Sequence, residues 1–325
     1  MSGPDAVIRL EQIGRDFKHT HAVQDLTVEI YRGDLFGLVG PDGAGKTTTL
    51  RLLAGLLGIS SGGGTVNGLD LATQAEKIKL QIGYMAQRFS LYANLTVEEN
   101  LRFFADIYHV ARELIPARMD ELLTFAGLET FRQRRAEHLS GGMQKKLALA
   151  CTLIHQPKIL LLDEPTTGVD PISRREFWRI LTDLHLRGTT IVVSTPYMDE
   201  ADRCSRVGLM IKGRFVACDS PQRIKQNLHA EVIKIYPEKW EQARDLLLNL
   251  PGVLEMQTYG DALHILVDSA EKRLGAVEKY YRKHGISLRS IRTAPVRMEE
   301  VFISTIRSME ADSETKSVTE STQEG

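Results

Sequence analysis

The segment Gly40-Pro41-Asp42-Gly43-Ala44-Gly45-Lys46-Thr47 carries the most explicit chemistry in this chain. It fits the pattern G-x-x-x-x-G-K-[ST], a loop that wraps phosphate oxygens. Its glycines let successive backbone N–H groups curl around an anion. A helix starting near Gly45 aims its positive end at the same point. Lys46 can reach β- and γ-phosphates, the Thr47 hydroxyl can bind Mg²⁺, and Thr48 extends the loop. A second constellation is Asp163-Glu164, at the end of the apolar run Lys158–Leu162. Such a run reads as a parallel strand buried on both faces, and ligands of open α/β sheets bind beyond the carboxyl ends of strands. Two adjacent carboxylates there need a cation or a polar substrate. Asp163 suits the Mg²⁺ side, and Glu164 suits a general base for an attacking water.

These residues need an α/β scaffold, and the flanking patterns supply one. Val7–Leu10, Leu26–Ile30 and Asp34–Val39 read as strands, with a helix over Gly45–Leu57. Ser60-Ser61-Gly62-Gly63-Gly64 reads as a loop, and Thr65–Gly68 as a strand entering a turn. Residues 88–155 are mostly helical in pattern, with Thr96 as a cap ahead of Glu98 and Glu99. Strands return at Lys158–Asp163 and Thr190–Thr195, around an amphipathic helix Ile172–Arg187 that Gly188 ends. The alternation implies a mostly parallel sheet with right-handed crossovers. Val207–Val216 reads as a hairpin about Lys212-Gly213-Arg214.

Composition shifts near Ser220-Pro221. Beyond it lie strands Glu231–Tyr236, Val253–Thr258, Leu263–Val267 and Ile286–Thr293, with helices Glu238–Asn249 and Ala270–His284. That β-α-β-β-α-β order implies a ferredoxin-like α+β unit. A short apolar helix follows at Met298–Ile306, then a Ser/Thr/Glu-rich tail expected to be disordered. The expected organisation is therefore a nucleotide-binding unit over 1–221 with a helical part at 88–156, an accessory unit over 222–307, and a tail at 308–325.

Bulk properties narrow the function classes. The 325 residues hold 41 Lys plus Arg against 42 Asp plus Glu, so no basic excess marks a nucleic-acid surface. The apolar runs are strand-sized, and the N-terminus lacks the pattern of a secretory signal. Cys151, Cys204 and Cys218 show no metal-ligand spacing and read as buried or half-buried thiols suited to a reducing compartment.

One further motif narrows the family: Leu139-Ser140-Gly141-Gly142-Met143-Gln144, ahead of a helix and upstream of the Asp163 strand. With the phosphate loop and Asp163-Glu164, it resembles the signature of ABC-family nucleotide-binding cassettes. The resemblance implies a phosphate-loop NTPase fold with a RecA-like core, an antiparallel β subdomain and a helical subdomain. It also implies ATP and Mg²⁺ as ligands, and closure of two cassettes head to tail, with Ser140–Met143 facing the nucleotide held by the other subunit. Gln87 matches the glutamine that contacts Mg²⁺ and the attacking water, and Gly168-Val169-Asp170 matches the loop at the dimer seam. Phe17 lies where the family stacks an aromatic on adenine, although a core phenylalanine fits equally. The accessory unit, closed by Arg297–Phe302, resembles that of bacterial multidrug exporters with type-2 ABC permeases.

One departure stands out. Where the family places a switch histidine after Thr190–Thr195, this chain has Pro196, and none of its nine histidines lies nearby in sequence. Proline offers neither a side-chain donor nor an N–H, and losing one preorganised contact to a transition state commonly lowers rate ~10²–10³-fold. Asp42, where the family often has Asn, adds a carboxylate near the phosphates. The expected function is the ATPase subunit of a transporter at the cytoplasmic face of the cell membrane. It would work with a separate permease and a second cassette, as the degenerate half of a heterodimer or as a homodimer. Phe89, Leu91 and Tyr92 would dock the permease or simply pack between subdomains. A ribosome- or DNA-directed ABC protein and a non-hydrolysing ATP-binding regulator are the alternatives.

Overall fold

The computed structural model describes residues 5–88, 91–247 and 250–309. Phe89, Asn249 and the tail from residue 310 lie outside them. The chain divides into two compact units that meet between Ser220 and Pro221.

The first unit opens with a long hairpin, β1 (Ala6–Phe17) and β2 (Thr20–Tyr31), followed by β3 (Leu35–Val39) and α1 (Lys46–Leu53). Next come β4 (Ser61–Val66), β5 (Leu69–Asp70), α2 (Ala75–Gln81) and β6 (Ile82–Met85). The helical part contains α3 (Val97–Ile107), α4 (Ile115–Ala126) and α5 (Gly141–Leu153). The unit closes with β7 (Ile159–Asp163), α6 (Pro171–Leu186), β8 (Thr190–Thr195), α7 (Met198–Ala201), β9 (Arg206–Ile211) and β10 (Arg214–Asp219).

Two sheets organise these elements. The larger has the order β10-β9-β3-β8-β7-β6, with all neighbours parallel except β10 at the edge. Every residue of β3, β7 and β8 is buried, as continuous apolar runs in a parallel sheet require. Register then fixes the site: Val39 pairs with Thr195 and Asp163 with Ser194, so the ends of three strands meet at one edge. The smaller sheet, β2-β1-β4-β5, is antiparallel.

The glycine run expected as a loop is instead strand β4, pairing Leu10 with Gly64 and Glu11 with Gly63. Glycine is used here for close approach: a Cβ at Gly64 would lie 2.5 Å from the Arg9 carbonyl oxygen. The helical part has its own core, including Val97, Leu101, Met119, Leu123, Leu147 and Ile154. Thr96 caps α3 in a reciprocal box with Glu99, as the acidic first turn implied.

The second unit contains α8 (Pro221–Gln226), β11 (Glu231–Pro237), α9 (Trp240–Leu247), β12 (Val253–Tyr259), β13 (Ala262–Val267), α10 (Ala270–Lys283) and β14 (Leu288–Ala294), then a helix over 298–309, α11. Its sheet order is β12-β13-β11-β14, all antiparallel, which is the ferredoxin-like order. Ala243 and Leu247 of α9 and Val277 and Tyr281 of α10 pack on Ile233, Ile235, Leu263 and Ile265. The last strand starts at Leu288 rather than Ile286, because Gly285 turns left-handed after α10 and the Ile286 N–H bonds back to Tyr281.

Cys151 and Cys204 are buried, but Cys218 is exposed, because β10 is an edge strand. Among the described residues, no helix is long and apolar enough to cross a membrane.

Candidate active site

The phosphate loop leaves the buried end of β3 and enters α1 at Lys46. Gly45 precedes α1 at φ 105°, which favours glycine, and no side chain caps this helix. The first N–H groups of α1 therefore remain available to an anion. A Cβ at Gly40 would collide with the Met210 carbonyl, so this position is closed to larger residues. Lys46, only 3% exposed, donates to the carbonyls of Gly40 at 2.9 Å and Pro41 at 3.0 Å. Its Nζ also lies 3.4 Å from Glu164 Oε1.

Asp163 ends β7 fully buried. Its Oδ1 accepts from Thr47 Oγ1 at 2.9 Å and from Ser194 Oγ at 2.7 Å. Its Oδ2 is buried without a hydrogen-bond partner among the described residues. A buried, half-satisfied carboxylate beside a threonine hydroxyl is a donor set suited to Mg²⁺, a hard cation that takes oxygen ligands and shares substrate phosphates.

Glu164 is held on several sides. Its backbone adopts φ 45°, an uncommon conformation for a glutamate that turns the chain sharply off β7. Its N–H donates to Ser194 Oγ at 3.0 Å. Its carboxylate accepts from Gln87 Nε2 at 2.7 Å and Thr167 Oγ1 at 3.3 Å, opposite the Lys46 contact. Cation, amide and hydroxyl thus fix this carboxylate at the end of β7.

A cavity of about 640 Å³ opens over this cluster. Asp42, Gly43, Ala44, Gly45, Lys46, Thr47, Thr48, Gln87 and Glu164 line it, together with residues of the β1–β2 hairpin and Lys212. Asp42 is exposed on this lining. Two histidines, His19 and His21, belong to the lining on the hairpin side, and His21 Nδ1 lies 2.7 Å from Asp16 Oδ1. Histidines distant in sequence are therefore present in the cavity. Phe17 is not among its lining residues. It is 41% exposed at the end of β1, with the Arg15 guanidinium 4.8 Å from its ring centroid, so the core alternative does not hold.

Pro196 follows β8 beside the loop, since the preceding Thr195 carbonyl accepts from Gly40 N at 3.4 Å. A polar network lies behind it. Fully buried Glu200 accepts from Thr166 at 2.7 Å, Thr195 at 2.5 Å and Arg174 at 2.6 Å, and the Arg174 guanidinium also stacks on Tyr197.

Ser140 caps α5, accepting from Met143 N at 3.3 Å. Gly141 has open space where a Cβ would stand, whereas a Cβ at Gly142 would sit 2.6 Å from Ser173 Cβ. None of Ser140–Met143 lines the phosphate-loop cavity. Asp170 caps α6, accepting from Ile172 N and Ser173 N at 3.1 and 3.0 Å; these bonds, the one from Ser173 first, hold its carboxyl below the usual range.

The ABC transporter family model matches residues 23–167. The Nod factor export ATP-binding protein I of Cupriavidus pinatubonensis is 34% identical over 300 residues, covering 92% of this chain and 90% of that protein. The chain belongs to the ABC transporter ATP-binding family. The probable multidrug ABC transporter ATP-binding protein YbhF of Escherichia coli is 41% identical over 221 residues. That match covers 68% of this chain but only 38% of the length of YbhF. Among solved structures, cbiO1 from Clostridium perfringens, part of the transporter complex cbiONQ, aligns with a TM-score of 0.63 at 27% identity, over 76% of this chain and 96% of that one. The dimeric post-hydrolysis state of the cassette MJ0796 bound to ADP and Pi aligns at 0.61 and 26% identity, over 66% and 98%.

Three contributors to this site escape sequence reasoning. Ser194 joins Asp163 to the Glu164 backbone, Thr167 supports the Glu164 carboxylate, and Lys145 Nζ donates to the Gln87 carbonyl at 2.9 Å. Only Ser194 leaves a trace in the sequence, as a hydroxyl within an apolar strand.

Proposed function

We propose that this cassette binds and hydrolyses ATP to power transport, in the export direction, through a separate membrane permease. The observation that carries this reading is the Glu164 carboxylate fixed by Lys46, Gln87 and Thr167, one residue after a buried Asp163 with an unpaired oxygen. Thr47 and Asp163 would hold Mg²⁺, with Gln87 beside them. Bound there, the ion would neutralise charge on the β- and γ-phosphate oxygens. The loop N–H groups of Gly43–Thr48 orient the phosphates, Lys46 stabilises charge on the transferred group, and Glu164 takes the proton of the attacking water.

Because Ser140–Met143 lies outside the chain's own cavity, the signature serves the nucleotide of a second cassette. Pro196 withholds a contact from the γ-phosphate, which favours a heterodimer in which this chain supplies the weaker site. The three supports on Glu164 favour the second reading, a homodimer that tolerates proline. The export direction draws on relatives whose names state multidrug transport and Nod factor export. Residues 88–94 would dock the permease. Tyr92 is suited to this, being 47% exposed and edge-on to Phe103, whereas Leu91 packs on the helical core. The second unit acts as an accessory domain, and the assembly sits at the cytoplasmic face of the membrane. Mg-ATP hydrolysis by the purified chain, compared with Glu164→Gln, tests the reading. The glutamine variant should bind ATP and lose turnover by about 10²-fold or more; equal turnover in both proteins would overturn it.

A further inference from the structure

Gln87 contributes to the site through two different groups. Its side-chain amide meets Glu164, while its backbone carbonyl accepts from Lys145 Nζ at 2.9 Å. Lys145 lies on the second turn of α5, the helix that Ser140 caps and that carries the signature. It is half-buried beside a cavity of about 320 Å³ that Gln87, Gly141, Thr167 and Gly168 also line. Burial pulls its ammonium pKa down, and attraction from Glu164 and then Asp163 opposes that shift, so the cation stands within the field of both carboxylates. A continuous path of polar contacts therefore runs from the signature helix through Lys145 and Gln87 to the base.

We propose that Lys145 is a positioning residue for the ATP site: by tethering the Gln87 carbonyl to α5, it makes the alignment of Glu164 depend on where the signature helix stands. This rests on the function proposed above. Residues 86–88 are irregular backbone after β6, so the Gln87 amide is only as well placed as the loop that carries it. A charge-assisted bond to the carbonyl fixes that loop to a helix. Misplacing a reacting group by about 1 Å can cost ~10²-fold in rate. When a second cassette's nucleotide draws Ser140–Met143 toward it, α5 moves and Lys145 carries Gln87 with it. In a chain with Pro196 at the switch position, this tether supplies alignment that a histidine would otherwise give.

The test uses the full chain as wild type, Lys145→Met, Lys145→Gln, Lys145→Arg and Glu164→Gln. Steady-state Mg-ATP hydrolysis is measured beside hydrogen exchange of the backbone amides at residues 86–88. Both neutral variants should lower kcat about tenfold or more while KM stays within about twofold, and should speed exchange in the loop. Arginine, which keeps the charge and the reach, should restore both readouts. A kcat within about twofold of wild type in either neutral variant, or a rise in KM alone, would overturn the proposal. Unchanged loop exchange would overturn it as well. If wild type turns over no faster than Glu164→Gln, the proposed function fails for this site, and the exchange data still decide the tether.

Discussion

Replacing Ser194 with alanine should damage the site more than the loss of one surface hydroxyl would. Ser194 Oγ donates to Asp163 Oδ1 at 2.7 Å and accepts from Glu164 N at 3.0 Å, and the serine is fully buried. Removing it strips a hydrogen bond to a charged group, worth about 1.5–3 kcal/mol, and leaves a buried N–H without an acceptor, at about 1–3 kcal/mol. The two losses share one atom and overlap, so the expected destabilisation is about 2–4 kcal/mol. Asp163 would then keep only the Thr47 contact, with its second oxygen already unpaired. Urea unfolding of wild type and Ser194→Ala, with the transition of the first unit followed separately, measures this directly. Saturating Mg-ATP should recover part of the loss, since a ligand that binds only the folded state stabilises it. A destabilisation under about 0.5 kcal/mol, the range of ordinary surface substitutions, would refute the reasoning that this hydroxyl holds the two carboxylates in register.

Other substitutions probe separate parts of the account. Gly142→Ala places a methyl 2.6 Å from Ser173 Cβ, so α5 must shift from α6. Stability should fall by about 1–3 kcal/mol, and ATP-dependent association in a Glu164→Gln background should weaken in size-exclusion and mass analysis. Phe17→Ala should change nucleotide affinity by less than about twofold in a fluorescence titration, because the ring is exposed and outside the cavity lining; a tenfold loss would place it on the base. In the second unit, burial first, then Lys234, hold the His264 pKa below 6.5, with Glu300 opposing. Tyr259 packs against the ring at a tilt, with centroids 4.3 Å apart, and Arg297 adds to the lowering. Below pH ~6.5 the unfolded chain binds the proton that the folded histidine resists. The contribution of His264 to the stability of this unit is therefore fully present above that pH and is lost as pH falls toward the lower folded value. The melting temperature of the second unit should drop between pH 7.5 and 5.5, and His264→Gln should flatten the drop.

What the sequence disclosed is what short-range pattern can carry. The phosphate loop, the Asp163-Glu164 pair and the Ser140 cap are contiguous, and each sits at the end of an element with a strong period. The start of β4, ahead of Thr65, was hidden because Gly62-Gly63-Gly64 has no side chains to alternate, and its pairing with β1 is a long-range contact. Ser194 and Asp163 meet through the register of two parallel strands, which neither strand records by itself. Lys145 and Gln87 are joined by one side chain across 58 residues of sequence. The exposure of Phe17 was hidden for a related reason: register shifts along the β1–β2 hairpin decide which way its end faces.

On the proposed function, the ATP site is assembled around Glu164 and lacks only its switch. Steady-state Mg-ATP hydrolysis by wild type beside Pro196→His tests it most directly. Wild type should turn over slowly and histidine should raise the rate at least about tenfold, toward ~1 s⁻¹, with Glu164→Gln inactive in either background. Wild-type turnover already at that rate, unchanged by histidine, would contradict it and would make proline a tolerated switch in a working homodimer.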